Sequence, residues 1–216
     1  MTLQISSVLF RSLRITLAAL SLLHVFPAKA VDAPAQAAPA RRDVPYVATP
    51  QVIVDKLLEM AAIKPGDVVY DLGCGDGRVV VTAAKRYGVR AVGVDIDPRR
   101  VKESLANARA NKVEHLVSIQ QKDIFKLDLR EATVVFLYLL PSMNTRLRPQ
   151  LAKLKPGSRI VSHDFDMGDA KPLQVVVLTT NGEEKDFGNN EHILYKWVVP
   201  WETEPPDSDK KNAKGK

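Results

Sequence analysis

A short apolar run that ends in three alternating glycines constrains the fold of this chain more than any other segment. Residues 67–72 read DVVYDL, and Gly73, Gly75 and Gly77 follow before a helical pattern begins. Alternate glycines let the backbone turn sharply and approach a ligand closely, because glycine has no Cβ and adopts positive φ readily. A buried strand that runs into such a turn and a helix predicts a ligand site at the carboxyl edge of a parallel sheet.

Strand-like and helix-like patterns alternate through the centre of the chain. Helices are predicted to begin at Thr49-Pro50, Arg78, Asp97-Pro98 and Ser142. Pro149 should kink the helix predicted over 142–154 or delay its start. The predicted strands are 67–72, 90–95, 116–120, 133–139, 158–162, 173–180 and 192–199. This order predicts an α/β, Rossmann-like three-layer fold: a mostly parallel seven-stranded sheet with a C-terminal hairpin that adds one antiparallel strand.

The two ends of the chain differ in composition from this central domain, which spans 44–201. Residues 31–43 are rich in Ala and Pro and predict a flexible linker. Residues 202–216 are mostly Pro, Asp, Lys and Ser, a composition typical of a disordered tail.

The first 30 residues predict a targeting segment. Arg11 and Arg14 precede an apolar run over 15–26, and Pro27-Ala28-Lys29-Ala30 follows. This is the order of a secretory signal peptide, and it predicts export to the periplasm. The apolar run is shorter than the roughly 20 residues of a membrane span. An uncleaved anchor, which would associate the chain with a membrane, and a mitochondrial presequence are the alternatives.

Charge and cysteine content exclude other classes. The net charge is +6, but Arg11, Arg14 and Lys29 belong to the targeting segment, and the remaining +3 does not favour a nucleic-acid partner. The single cysteine, Cys74, excludes an intramolecular disulfide, and its place inside the glycine turn indicates packing. No metal site is predicted, because the histidines lack a ligand spacing. They are His24, His115, His163 and His192.

The spacing of the glycine turn and its acidic residues favour one cofactor over another. A dinucleotide site has the pattern G-x-G-x-x-G, whereas this turn is G-x-G-x-G and carries Asp71 and Asp76. Carboxylates would repel a pyrophosphate, but they attract the ammonium and sulfonium groups of S-adenosyl-L-methionine. We therefore expect Asp71, with Gly73, Gly75 and Gly77, to bind that cofactor. The alternative is that Asp71 only caps the turn.

The second and third strands end in further candidate cofactor residues. Asp95 lies 20 residues after Gly75, where a carboxylate accepts hydrogen bonds from ribose hydroxyls, as in dinucleotide enzymes. Ile96 would cover the adenine, and Asp97 is better explained as the N-cap of the next helix. We expect Asp123 to accept from the adenine amino group and Ile124 to cover the ring. The alternative for Asp123 is a loop aspartate that caps a turn.

Four segments together resemble one family. They are Tyr46-Val47-Ala48-Thr49-Pro50, the glycine turn, Tyr138-Leu139-Leu140-Pro141 and Arg159-Ile160-Val161-Ser162-His163-Asp164-Phe165. Over about 44–180 the chain resembles the bacterial relatives of the mitochondrial lysine methyltransferases that modify the ATP synthase c-subunit and the adenine nucleotide translocase, a group of class I, seven-stranded methyltransferases. The resemblance implies that Tyr46 and Thr49 form a wall over the cofactor. Ala48 departs from the proline that relatives often have.

The resemblance implies N-methylation of a protein lysine with S-adenosyl-L-methionine. The lysine must be neutral to react, and we expect Tyr46, Tyr138 or Asp164 to accept its proton. The alternative for Tyr138 is a core aromatic. The strand before it ends without the Asn/Asp-Pro-Pro-aromatic motif usual in methylases of DNA bases and glutamine amides. The alternatives for function are a small-molecule O- or N-methyltransferase, a non-catalytic protein that binds the cofactor, and a dehydrogenase.

Overall fold

The computed structural model describes residues 46–180 and 191–203. The predicted targeting segment, the linker and most of the predicted tail lie outside these residues. So does the turn that Asn181-Gly182 indicates between the last two predicted strands. Glu202 and Thr203, which the sequence analysis assigned to the tail, are held in place: the carbonyl of Glu202 accepts from Lys171 N at 2.8 Å, and Thr203 forms a β-bridge with Ala170. Within the described ranges, no helix has both the length and the hydropathy required to cross a membrane.

One sheet of seven strands forms the centre of the domain. Its strands, β1 to β7, are Val68–Leu72, Arg90–Asp95, Val117–Gln121, Val134–Leu137, Arg159–His163, Gln174–Thr179 and Glu191–Val198. The helices, α1 to α4, are Gln51–Ala61, Arg78–Tyr87, Pro98–Ala110 and Pro141–Leu151, and a 3₁₀ turn spans Ile124–Lys126. The strand order is β3-β2-β1-β4-β5-β7-β6. β7 runs antiparallel to its two neighbours, β5 and β6, and the other neighbouring strands pair in parallel. The predicted fold class is confirmed.

Alternation along each strand builds two apolar layers on opposite faces of the sheet. Val69 points into the layer formed with α1, α2 and α3, and its neighbour Tyr70 points into the layer that contains Leu147 and Leu151 of α4. Successive side chains of a strand face opposite sides, so a strand buried on both faces is apolar throughout. The three layers hold the carboxyl ends of β1, β2 and β4 at one edge, next to each other.

The fourth strand and fourth helix differ from their predicted bounds. β4 ends at Leu137, two residues before the predicted end, because the chain turns there toward α4. Of the two effects expected of Pro149, the delayed start is wrong: α4 begins at Pro141, which lies in its first turn, and Pro149 lies inside the helix. The kink stays a prediction. A proline in the first turn costs the helix no hydrogen bond, because a backbone N–H at that position would have no partner within the helix. Pro149 is tolerated near the other end, where Leu147 and Leu151 are fully buried.

Candidate active site

The glycine turn lies between β1 and α2 and is fastened to the end of β2. Gly73, Gly75 and Gly77 all have positive φ, at 84°, 54° and 77°. The N–H of Gly73 donates to the carbonyl of Val94 at 2.8 Å. Gly77 does not line the cavity as predicted: it is the N-cap of α2, and a Cβ there would lie 2.9 Å from the Cβ of Ser104. Its glycine is required for the close approach of α3.

A cavity opens beyond the glycine turn, at the carboxyl edge of the sheet. Most of the predicted site residues line it: Tyr46, Thr49, Asp71, Gly73, Gly75, Asp95, Ile96, Asp123, Ile124 and Tyr138. Asp164 and Gly77 are not among its walls. Several further lining residues were not selected from the sequence, among them Arg78, Arg100, Lys122, Met143 and His163. The sheet edge therefore brings together residues from every segment that the sequence analysis selected.

Cys74 packs inside the turn, as its position predicted. The side chain is buried, and its Sγ lies 3.7 Å from Ser104 Oγ. Burial raises the pKa of the thiol well above its usual value, which keeps the group protonated. Cys74 is therefore a packing residue of the turn.

Asp71 places a buried carboxyl group in the cavity. Within the part of the chain that the structure describes, no group donates a hydrogen bond to it, so it does not serve as a turn cap. Burial, and then the nearby carboxylates of Asp95 and Asp76, raise the pKa of Asp71 to about 8. A buried carboxyl group of this kind is suited to a cationic ligand, whose charge would restore the ionised form.

The raised pKa makes ligand binding pH-dependent. Below about pH 8 the empty site holds Asp71 protonated, and a bound ammonium group favours the carboxylate, so binding releases a proton. We expect the affinity for S-adenosylhomocysteine to rise on the order of 10-fold from about pH 6.5 to about pH 8.5 and then to level off. Calorimetry in two buffers of different ionisation enthalpy measures the proton released. Asp71→Asn should flatten the profile; a wild-type affinity that ignores pH would contradict this.

Asp95 joins the second strand to the glycine turn. Its Oδ2 accepts from the N–H of Gly75 at 3.0 Å, and its Oδ1 accepts from the N–H of Asp97 at 2.9 Å. Burial raises the pKa of Asp95 despite these bonds. Each carboxylate oxygen has a second lone pair for a ligand hydroxyl. Asp97 caps α3 by accepting from Arg99 N at 2.9 Å, which confirms the N-cap prediction.

Asp123 begins the 3₁₀ turn at the far wall of the cavity. Its Oδ1 accepts from the N–H of Phe125 at 2.9 Å, so the turn-capping alternative describes this oxygen correctly. The residue also lines the cavity, next to the buried side chain of Ile124. The expected contact of Asp123 with an adenine amino group stays a prediction.

Tyr46 lies directly on the glycine turn. A Cβ at position 75 would lie 2.2 Å from Cε2 of the Tyr46 ring, so the glycine there makes room for the aromatic. The guanidinium of Arg100 lies 4.2 Å from the centre of the same ring. Burial and the neighbouring Asp76 raise the pKa of the Tyr46 hydroxyl. Tyr46 is therefore a neutral wall residue near pH 7.

Arg78 ties the segment before α1 to the turn. Its Nη1 donates to the carbonyl of Thr49 at 2.6 Å, and its Nη2 pairs with Asp76 at 2.8 Å. The first residue of α2 thereby holds Thr49, from a segment 29 residues earlier, against the cavity. Nothing in the local sequence indicates this role of Arg78, because an arginine at the start of a helix usually faces solvent.

An aromatic cluster of Tyr138, His163 and Phe165 lies at one part of the cavity wall. The ring centres of Tyr138 and His163 are 4.0 Å apart, and that of Phe165 is 6.2 Å from that of Tyr138. Tyr138 is half-buried and lines the cavity, so its position supports both the predicted site role and packing.

Two histidines that are far apart in the sequence form a buried pair, and one of them, His163, belongs to this aromatic cluster. Nε2 of His163 lies 2.9 Å from Nδ1 of His192. Burial lowers the pKa of His163 to about 4, so its ring is neutral at physiological pH. With Asp164 the two rings place three potential metal-ligand atoms within 4.8 Å of one another, a grouping that sequence spacing did not indicate.

Asp164, one of the three residues expected to accept the proton of the lysine, does not line the cavity. Its backbone has a φ of 59°, in the left-handed region. Its Oδ1 accepts from the N–H of Ile193 at 3.0 Å, and its N–H donates to the carbonyl of the same residue at 2.7 Å. These bonds to β7 direct the carboxylate toward the histidine pair.

Comparisons with known proteins agree with this geometry. Residues 71–174 match the family described as the ANTKMT methyltransferase domain. A protein-lysine N-methyltransferase of Saccharolobus islandicus is 44% identical over 158 residues, which cover 72% of this chain and 94% of that protein. The chain belongs to this methyltransferase family. The adenine nucleotide translocase lysine N-methyltransferase of Mus musculus is 36% identical over 140 residues, covering 64% of this chain and 60% of that protein.

A solved structure extends the similarity to the cofactor. The crystal structure of an RNA methyltransferase from Salinibacter ruber in complex with S-adenosyl-L-homocysteine is 47% identical and has a TM-score of 0.65. The match covers 76% of this chain and 99% of that one. The methyltransferase uses S-adenosyl-L-methionine, as the glycine turn predicted, and the dehydrogenase and non-catalytic alternatives are wrong. The buried, unbonded carboxyl of Asp71 and the backbone-held carboxylate of Asp95 fit a cationic adenosyl cofactor.

Proposed function

We propose that the methyltransferase transfers a methyl group to the Nε atom of a lysine in a protein. The relative from Saccharolobus islandicus carries this proposal, because it is a protein-lysine N-methyltransferase that the chain matches over 94% of its length. S-adenosyl-L-methionine, when bound, supplies an electrophilic methyl group. The residues of the chain then have to position a neutral amine at near-attack distance.

The walls of the cavity suit an amine acceptor at one end. Tyr138 lines the cavity there, with the ring centres of His163 and Phe165 4.0 Å and 6.2 Å from its own, and an aromatic face attracts a lysine ammonium. Two of the three basic residues among the walls are engaged elsewhere: Arg78 pairs with Asp76, and Arg100 lies over the Tyr46 ring. The third, Lys122, directly precedes Asp123. An acceptor cation that enters beside Tyr138 would therefore meet aromatic surface.

An RNA acceptor is the second candidate, since the structure from Salinibacter ruber that is 47% identical is that of an RNA methyltransferase. Phosphate-binding proteins usually present clustered lysines and arginines near the site. The modest net charge of the central part of the chain does not favour this candidate.

A labelling experiment with three acceptor pools tests the proposal. The enzyme is incubated with methyl-labelled S-adenosyl-L-methionine and a pool of blocked peptides that carry one lysine between randomised residues. A matched peptide pool has arginine at that position, and a third pool contains short single-stranded RNA. Asp95→Ala, at a cofactor concentration that saturates only the wild type, serves as the control variant with weakened cofactor binding.

We expect label in the lysine pool and none in the arginine pool, with mass spectrometry placing the methyl groups on Nε. Label confined to RNA would replace the proposal with the second candidate. Label confined to small molecules of a cell extract would favour the small-molecule alternative and overturn protein-lysine methylation.

A further inference from the structure

A continuous row of polar atoms leads from the cavity wall to the protein surface. Oγ1 of Thr49, which lines the cavity, lies 3.4 Å from Nδ1 of His163. On the other side of the same ring, Nε2 lies 2.9 Å from Nδ1 of His192 and 3.3 Å from Oδ2 of Asp164. His192 Nδ1 is also 3.4 Å from that Oδ2. Every step in the row is within the range of a hydrogen bond or a small adjustment from one.

The two ends of the row differ in exposure. His163 is fully buried, and Thr49 and His192 are nearly so. The side chain of Asp164 is 24% exposed, so its carboxylate exchanges protons with water. The left-handed backbone of Asp164 and its bond from Ile193 N hold the carboxylate at this point. Non-glycine residues in this conformation are uncommon and are enriched at functional sites.

We propose that Thr49, His163 and Asp164 form a proton relay that discharges the acceptor ammonium, with His192 as the residue that positions the His163 ring. This proposal rests on the proposed function, because a lysine ammonium has no free electron pair and must lose a proton before it reacts. Asp164 is the carboxylate of this relay and does not line the cavity. The relay connects it to the acceptor.

The step moves one proton and is balanced. An N–H bond of the acceptor ammonium breaks, and its electron pair stays on nitrogen. Thr49 Oγ1 takes that proton while its own proton passes to Nδ1 of His163, and a proton leaves Nε2 for Oδ2 of Asp164. The new O–H bond on Asp164 then releases its proton to water. Two ring nitrogens on opposite sides let an imidazole pass a proton without rotating.

The neutral charge state of the His163 ring is consistent with a residue that passes a proton on and does not hold it as an imidazolium. The titratable groups that face its ring are Asp164, His192 and Tyr138. Burial lowers the pKa of His163 to about 4, although Asp164 acts in the opposite direction. The ring therefore keeps one proton and does not hold a second. Tyr46, whose pKa is raised, and Tyr138, whose ring is tilted against that of His163, serve as walls in this scheme.

The pH profile of methyl transfer separates a relay from a structural role. We compare kcat on the lysine peptide pool for wild type, His163→Asn and Asp164→Asn from about pH 7 to about pH 10. Near pH 7 we expect His163→Asn to lower kcat about 100-fold and Asp164→Asn about 10-fold. Near pH 10 the gap should close to about 2-fold, because lysine with a pKa near 10.4 then arrives largely neutral. The Kd for S-adenosylhomocysteine should not change.

A matched control and a milder variant distinguish loss of the relay from a folding defect. His115→Asn makes the same chemical change at an exposed histidine between α3 and β3, and it should follow the wild-type profile at every pH. Asparagine tolerates the left-handed backbone, so Asp164→Asn should fold even if His163→Asn does not. A gap that stays constant with pH would show a structural role and overturn the relay, as would no gap at all.

Ring-nitrogen NMR of the complex with S-adenosylhomocysteine tests the relay without turnover. We expect His163 to remain neutral from about pH 6 to about pH 9, and Asp164→Asn to shift the ring nitrogens of His163 and His192 but not those of His115. An imidazolium at His163 in this range, or about one bound metal ion per chain by elemental analysis, would overturn the relay. If wild type labels no lysine peptide, the proposed function fails. If wild type labels lysine but the difference in kcat between wild type and the variants does not change with pH, only the relay fails.

Discussion

Replacing Asp95 by alanine is expected to weaken the binding of S-adenosylhomocysteine about 100-fold. The change removes the acceptor of the N–H groups of Gly75 and Asp97, at 3.0 Å and 2.9 Å, and with it the predicted acceptor for the ribose hydroxyls. Hydrogen bonds to a charged group contribute about 1.5 kcal/mol each, so the loss of two corresponds to about two factors of ten in Kd. The glycine turn would also lose one of its attachments to β2, while the bond from Gly73 N to the carbonyl of Val94 would remain.

Isothermal titration calorimetry measures this effect, and two variants define its origin. Asp95→Asn keeps one carbonyl acceptor and should lie between wild type and Asp95→Ala. Asp128→Asn removes an exposed carboxylate that pairs with Arg130 outside the cavity, and it should leave the affinity unchanged. An Asp95→Ala enzyme that binds like wild type would contradict the assigned role of this carboxylate.

The second large effect concerns stability. Asp67→Asn should lower the free energy of unfolding by about 3 kcal/mol, because it leaves Arg159 without its charge partner in a buried position. Asp67 is 4% exposed. Its carboxylate forms an ion pair with Arg159 and accepts from Thr133 Oγ1 at 2.7 Å and from Lys64 N at 2.8 Å. These bonds join the segment after α1 to the starts of β1, β4 and β5.

The pH dependence of this effect has a defined sign. Burial by itself would raise the pKa of Asp67, but the bonds from Arg159, Lys64 and Thr133 together hold it below its usual value. The stabilisation is therefore complete above the unfolded-state pKa, near 3.9, and is lost as pH falls through the lower folded-state pKa. The gap between wild type and Asp67→Asn should shrink in that acidic range.

Urea unfolding followed by circular dichroism measures both quantities. Glu59→Gln, which removes the exposed partner of Lys56, is the matched control and should leave the unfolding midpoint unchanged. Equal midpoints for wild type and Asp67→Asn at neutral pH would show that Arg159 finds another partner when the carboxylate is removed.

The sequence alone determined the sheet, the cofactor and most of the polar residues that line the cavity. Gly73, Gly75 and Asp95 follow strands whose carboxyl ends meet at one edge of a parallel sheet, so local spacing predicts that they converge. The same logic placed Asp71 and Asp123 at the cavity. Local patterns also predicted the cap of α3 at Asp97, because a cap depends only on the next few residues.

Only the tertiary structure decided the acceptor end of the site. His163 and His192 are 29 residues apart and meet because β7 inserts between β5 and β6, a pairing that no local pattern encodes. Asp164 turns from the cavity to that pair because β7 supplies its hydrogen-bond partner at Ile193. Side chains that depend on strand order cannot be placed by spacing, since the sheet brings them together only after the chain has crossed it.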